Sequence, residues 1–453
     1  MSNDPALLTQ YTQLLCNDID SAYTIDKEAY RKLSVKRGLR NEDGTGVLIG
    51  VTQIGSVQGY YLDDGEKTPI PGHLYYRGID VNDIADTHQK NGTFGFEEVA
   101  YLLLMGKLPT AEQKACFDTI LAEARPLPNG FFEDMILKVS GSNVMNVLPR
   151  CVLALYNYDD APEDNSIEHL VLQAIQLIAR FPGIVATAYA AKRHHYDHKS
   201  LYVHNPRPEL SVSENFLRML RPNKAYTPEE AQLLDLMLIL HAEHGGGNNS
   251  TFTCRSLSST GTDTYSAIAG AVCSLKGPLH GGANGKALAM IDDIREHVSD
   301  LKDDEEIARH LRLILDGEAF DRSGKIYGLG HAVYTLSDPR AVLIKKYART
   351  LAEKWGRMED FRLIESVERL GSAEIAQRKH TTTPICANVD LYSGLVYDML
   401  GIPRELFTPL FATARIAGWC AHRIEEAVTC HCIMRPAYHA TAKRVAYVPI
   451  DQR

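Results

Sequence analysis

From Phe94 onward the chain repeats one pattern: an apolar helix-forming run, a short break, another run. That alternation restricts the fold more than any other feature, because amphipathic helices on short connections must bury their apolar faces against each other. Residues 96–104 read as an apolar helix stopped by Gly106, and Thr110 reads as the N-cap of the next. Residues 145–155, 167–180, 184–192, 213–220 and 228–241 continue the series, with Thr227 capping the last. Phe181-Pro182-Gly183 reads as a break, since proline removes a helix donor. Residues 167–180 are apolar on nearly every side and belong inside a large body. Strand signal is confined to the first eighty residues. Residues 47–57 are rich in β-branched side chains, residues 59–71 are turn-prone, and residues 73–78 complete a small antiparallel ribbon. Residues 1–45 read as helical and polar. The expected class is all-α with a small N-terminal β ribbon.

The 453 residues allow two or three domains. Residues 292–325 and 345–379 are markedly more charged than the helices before them, and the pattern turns apolar again after Gly401-Ile402-Pro403. A small helical domain at 282–401, inserted into a large one formed by 1–281 and 402–453, explains both shifts. The net charge is −9 and no long basic run occurs, so nucleic-acid and anionic-membrane binding lack an electrostatic footprint. Residues 1–10 do not read as a signal peptide, and no apolar run is read as membrane-spanning. The nine cysteines are mostly scattered and fit reduced thiols in the cytoplasm. Cys430-His431-Cys432 reads as a core helix face, and His194, His195, His198 and His204 as a solvated helix end. Neither has the paired spacing of a structural zinc site, so no metal and no cofactor are expected.

Four segments carry polar groups that packing alone would not require. His241 and His244 are three residues apart at the end of an apolar helix, followed by Gly245-Gly246-Gly247-Asn248. His280 lies among Gly277, Pro278, Gly281 and Gly282, just before a helical run. A helix N-terminus disfavours imidazolium, so His280 is expected to be neutral and able to donate to a developing oxyanion. The third segment runs through Gly328-Leu329-Gly330-His331 to Asp338-Pro339-Arg340, and the fourth is Asn388-Val389-Asp390. Arg415 sits in an apolar helix, where an unpaired guanidinium is costly. Singly, Asp390 reads equally well as a helix cap and Arg340 as a surface arginine. Together, neutral histidines, one carboxylate and arginine forks suit a di- or tricarboxylate substrate with a carbonyl to polarise.

The same stretches, HAEHGGGNNSTFT, GPLHGGAN, GLGHAVYTLSDPRA, NVDLYSG and ARIAGW, resemble the citrate synthase family, with order and spacing matching from LYYRGIDVNDIA to MRP. The resemblance implies a two-domain helical fold and a condensation of acetyl-CoA with oxaloacetate, or of propionyl-CoA in the 2-methylcitrate branch. It implies Asp390 as the base, His280 as the thioester hydrogen-bond donor and His331 as the group facing the oxaloacetate carbonyl. His244, Asn248, Arg340 and Arg415 would bind oxaloacetate, and Arg435 would cross a homodimer interface to the partner's site. Ile326, Tyr327, Gly328, Leu329 and Gly330 would form the acyl-CoA-binding turn. The chain departs from the common pattern at three positions: Thr335 replaces a basic residue that meets CoA phosphates, Gly285 a glutamate, and Ala387 a proline.

Overall fold

The computed structural model describes residues 12, 13, 16, 24–63 and 66–452. Much of the stretch read as polar helix at 1–45, and all of the N-terminal segment read for a signal, lies outside them. The chain divides into two compact units, residues 50–434 and the combined terminal segments 1–49 and 435–453. In the terminal unit a short helix, α1 (Lys27–Lys32), is capped by Asp26, which accepts from the Glu28 N–H. Arg40 and Gly46 form an isolated antiparallel bridge.

The larger unit opens with the ribbon. β1 (Gly55–Asp63) pairs antiparallel with β2 (Glu66–Tyr76), which pairs briefly with β3 (Ile79–Asp80). The turn-prone reading of residues 59–71 is corrected here, because most of them are strand. A register shift between Gln58 and Tyr60 sets the single residue Gly59 against Ile70, Pro71 and Gly72, so the extra residues bulge from β2. Pro69 and Pro71 are tolerated because β3 covers β2 only at Tyr75 and Tyr76, leaving the proline stretch as an edge. Residues 47–54, by contrast, are not strand.

Helices then follow in series: α2 (Val81–Asn91), α3 (Phe96–Met105), α4 (Ala111–Ala124), α5 (Val144–Leu155), α6 (Ile167–Tyr196), α7 (Val212–Leu220) and α8 (Pro228–His241). Thr110 with Gln113, Ser211 with Glu214, and Thr227 with Glu230 form reciprocal capping boxes, which explains these starts. α6 corrects two expectations. It is one 30-residue helix running through Pro182, and it is long and apolar enough to cross a membrane. Most of it is buried inside the protein, so surrounding helices hold the proline in register where sequence reading saw a break.

The chain continues with α9 (Asn249–Ser258), α10 (Thr264–Lys276), α11 (Ala283–His297), α12 (Asp304–Asp316), α13 (Pro339–Lys354), α14 (Met358–Arg378), α15 (Val389–Met399) and α16 (Phe407–Thr429). α16 is the hub, packing on α3, α6, α8, α9 and α10. Its buried residues include Trp419, Ile416 and Leu410, and also Arg415. α11 and α13 both pack on α15, and α12 packs on α14. The site lies where these elements approach the C-terminal end of α8.

Candidate active site

α8 ends at His241, and the chain turns through Ala242 and Glu243 to His244 and Gly245. His241 Nδ1 lies 2.7 Å from the Met237 carbonyl one turn back. Its own carbonyl accepts the Arg415 Nε–H at 2.7 Å. Arg415 is wholly buried, stacks 4.7 Å over the Phe411 ring, and leaves both terminal nitrogens without a hydrogen-bond partner. Burial lowers its pKa to about 10, with Glu243 and Tyr76 opposing the shift. Among the described residues no carboxylate forms an ion pair with Arg415.

Arg340 is buried as well, but engaged. Asp338 caps α13 through the Arg340 N–H and takes the guanidinium in a two-point pair of 3.0 and 2.7 Å. Burial opposes the Arg340 charge, and Asp338 outweighs it and holds the group protonated. Arg340 is therefore not the surface residue it resembled in isolation.

His244 lies between these arginines. Its ring is 5.2 Å from His331 and 5.6 Å from Tyr334, each edge-on. Burial, then the charges of Arg340, His331 and Arg415, push its pKa well below the usual histidine value, and its Nε2 has no partner. His331 stacks on Tyr334 at 4.6 Å. Its Nδ1 accepts the N–H groups of Val333 and Tyr334, both at 3.1 Å. The proton must then sit on Nε2, which makes that atom a donor.

The backbone on either side of His331 is fixed from two directions. Gly328 and Gly330 have positive φ, and a Cβ on Gly328 would lie 2.7 Å from that of Leu391. Leu329 bridges Ala387, the Gly330 N–H donates to Cys386 O, and the Asn388 N–H donates to Gly328 O. Asn388 also donates its side-chain amide to Gly330 O, and it caps α15 by accepting the Asp390 N–H. The cap is thus Asn388, and Asp390 stands free of that duty in the first turn. From the other side, the β ribbon presses Gly59 and Gly72 against Val333 and Ser337 so closely that neither has room for a Cβ. The acyl-CoA-turn residues are accordingly mixed: Ile326 and Gly328 are buried, while Tyr327, Leu329 and Gly330 are half-buried.

Asp390 keeps partial solvent access as a residue, yet burial around its carboxyl raises the pKa to about 6. Arg340 opposes that shift and Asp338 adds to it. His280 stands at the head of α9, where its Nε2 accepts the Ser250 N–H at 3.3 Å and lies 3.0 Å from Ser250 Oγ. Trp419 donates to Ser250 Oγ, which in turn donates to the Asn248 side-chain oxygen Oδ1 at 2.8 Å. Nε2 is therefore an acceptor and Nδ1 carries the His280 proton. Its pKa is lowered to about 4 by burial and then by Arg415. Neutrality was expected from the start of α11, but burial is its main cause. Asp390, Arg340, His244, Arg415 and His280 form one chain of electrostatic neighbours. Arg435 is exposed and belongs to the terminal unit.

Sequence reading missed several contributors. Phe411, Tyr334 and Asp338 line or brace the cluster, and the Asp-Pro-Arg string was the available signal for Asp338. Also missed was a cavity of about 760 Å³ beside Ile385 and Cys386, lined by Leu336 and by Lys302, Lys345, Arg362 and Arg369. The histidine group at 194–204 bonds backbone carbonyls through His194, His195 and His204. Cys430 caps the end of α16 with His431 and Cys432 exposed beyond it, which corrects the core-face reading. Asp293, His297 and His310 are close enough to hold a metal ion. His297 Nδ1, however, already lies 2.8 Å from the Asp293 carbonyl of its own helix.

The family model described as "Citrate synthase, C-terminal domain" matches residues 43–437. This chain belongs to the citrate synthase family. Citrate synthase of Deinococcus radiodurans is 37% identical over 84% of this chain and 93% of its own length. Citrate synthase of Haloferax volcanii is 33% identical over 92% and 99%. A 2-methylcitrate synthase of Shewanella oneidensis is 34% identical over 84% and 92%. Among solved structures, Pyrobaculum aerophilum citrate synthase superposes with a TM-score of 0.73 at 30% identity, covering 90% of this chain and 94% of that one. The all-α class with its small sheet stands, and the chain is an acyltransferase of this family.

Proposed function

We propose that this enzyme condenses acetyl-CoA with oxaloacetate and hydrolyses the resulting thioester to citrate and CoA. The observation that carries the reading is a buried carboxyl, Asp390, joined through Arg340, His244 and Arg415 to His280, with the protons of His280 and His331 fixed on different ring nitrogens. Asp390 removes a methyl proton from the thioester while His280 Nδ1–H hydrogen-bonds its carbonyl oxygen, giving an enolate held by that bond. The enolate carbon attacks the oxaloacetate ketone and re-forms the thioester carbonyl, while the His331 Nε2 proton passes to the ketone oxygen, which becomes the new hydroxyl, and is replaced from water. Arg415, Arg340 and His244 hold the substrate carboxylates, with Asn248 keeping Ser250 and so His280 in place. Water then cleaves the citryl thioester. These steps draw on side chains alone, without a cofactor.

We assign the CoA end of the substrate to the cavity beside Cys386, where Lys302, Lys345, Arg362 and Arg369 outnumber Glu365 and Glu368. Lys302 and Arg362 carry no ion pair among the described residues, so their charge is available to phosphates. Those groups offset the loss of a basic residue at Thr335, next to the cavity-lining Leu336, while the 326–330 turn supplies backbone. We assign 282–401 to a small domain that closes on the remainder. Its two chain crossings lie together, Thr408 Oγ1 donating to Gly281 O at 2.7 Å. A homodimer is the proposed working unit, with Arg435 reaching the partner's site. The extended C-terminal stretch supports it by exposing Tyr438, Val445, Tyr447 and Ile450 almost fully. The unpaired cysteines favour the reducing cytoplasm.

The test is thiol release with oxaloacetate and either acetyl-CoA or propionyl-CoA. Acetyl-CoA is the expected better substrate, judged by kcat/KM. Release with propionyl-CoA alone would assign the chain to the 2-methylcitrate branch, and release with neither would refute the reading.

A further inference from the structure

Arg415 poses a physical problem: a fully buried guanidinium holds two vacant terminal nitrogens and touches no carboxylate. The nearest candidate to balance it is Glu243, also fully buried. Glu243 is held by other partners. Its Oε1 accepts the Gly245 N–H at 2.5 Å and lies 2.9 Å from His422 Nε2. His422 Nδ1 lies 2.7 Å from Arg255, which is paired at 2.7 Å with Glu425, itself an acceptor for the Gln53 N–H. The second oxygen, Oε2, has no partner. It faces the stripe of α16 that carries Arg415: a Cβ on Gly418, one turn onward, would lie 2.4 Å from it. Gly55 of β1 makes room on another side, where a Cβ would lie 2.8 Å from the same side chain.

We propose that Glu243 is a positioning residue: a counter-charge pinned by His422 at a distance from Arg415. It offsets the buried cation without occupying the fork that receives a substrate carboxylate. This rests on the assignment of Arg415 to oxaloacetate. The other groups acting on Arg415 are Tyr76 from β2, Arg340 from α13, His241 and His244 at the end of α8, and His280. None of them supplies a permanent negative charge.

Two substitutions then shift oxaloacetate binding in opposite directions. Glu243→Gln keeps the shape and can still accept from Gly245 but removes the charge, so the substrate dianion becomes the only local counter-charge. KM for oxaloacetate should fall on the order of tenfold, and the oxaloacetate-induced rise in Tm should exceed that of wild type. His422→Gln leaves the charge but loosens its pin, letting the carboxylate swing onto Arg415, so KM should rise. A brace with no electrostatic role predicts otherwise. Glu243→Gln would then leave KM unchanged or raised with an ordinary Tm shift, and that result overturns the proposal. If Glu243→Gln does not fold, an unchanged KM in His422→Gln overturns it equally. An absent oxaloacetate-induced Tm shift in wild type would refute the substrate assignment instead.

Discussion

The two halves of the site are built on opposite physical terms. In the half assigned above to oxaloacetate, His241, His244, Arg340 and Arg415 are all buried, with Arg340 held by Asp338 and Arg415 by the His241 carbonyl. In the half assigned to CoA, a roomy cavity is rimmed by lysines and arginines that remain partly exposed, together with Glu365 and Glu368. A charge in the first environment is expensive, so it is placed where one geometry suits one ligand. A charge in the second is cheap and screened, and contributes attraction more than selection. On the proposed assignment, that contrast predicts specificity for the dicarboxylate and tolerance toward the carrier.

The largest expected effect lies at Asp390, on which Arg340 and Asp338 act. Asp390→Asn should lower kcat by about 10³–10⁴-fold, while calorimetry still detects oxaloacetate binding. Retained turnover would remove Asp390 from the base's role. Next in size is Arg415→Met. It should raise KM for oxaloacetate about 100-fold yet leave Tm unchanged or higher, because an unpaired buried cation has gone. A large loss of Tm would mean that Arg415 is structural.

These two residues also show what could be read in advance. Asp390 and Arg415 stand out in sequence because polar groups in apolar helices need a reason. The capping residues were equally visible, since Thr110 and Thr227 act through bonds three residues away. The continuous α6 was not, because Pro182 breaks a lone helix and only the surrounding packing holds it straight through. The ribbon was misplaced for a similar reason: Pro69 and Pro71 read as turn until β2 is known to be an edge there. Glu243 was quoted inside its motif without a role, for its meaning depends on His422 and Gly418, far along the chain. Arg362 and Lys302 look like any surface charge in sequence, and only the fold gathers them into one cavity.

Acidity sharpens the contrast further. Asp390 acts ionised, and its pKa is raised to about 6, so kcat/KM should decline as pH falls through that value. His280, held down to about 4, stays neutral over the same range and should add no limb near 6.5. A pH–rate profile with its acid limb near 4 would place the base elsewhere. The smallest effect belongs to the exposed half. Arg362→Ala should raise KM for the acyl-CoA only about two- to fivefold, more at low salt than at high, with KM for oxaloacetate unchanged. A salt-independent change, or one in oxaloacetate KM, would contradict the division of labour.

Proton removal from the thioester can be observed without condensation. In D₂O, with a dicarboxylate that lacks the ketone bound in place of oxaloacetate, wild-type enzyme should exchange the acetyl-CoA methyl protons for deuterium, followed by NMR, and Asp390→Asn should not. Equal exchange in both proteins would contradict the assignment of Asp390 as the base.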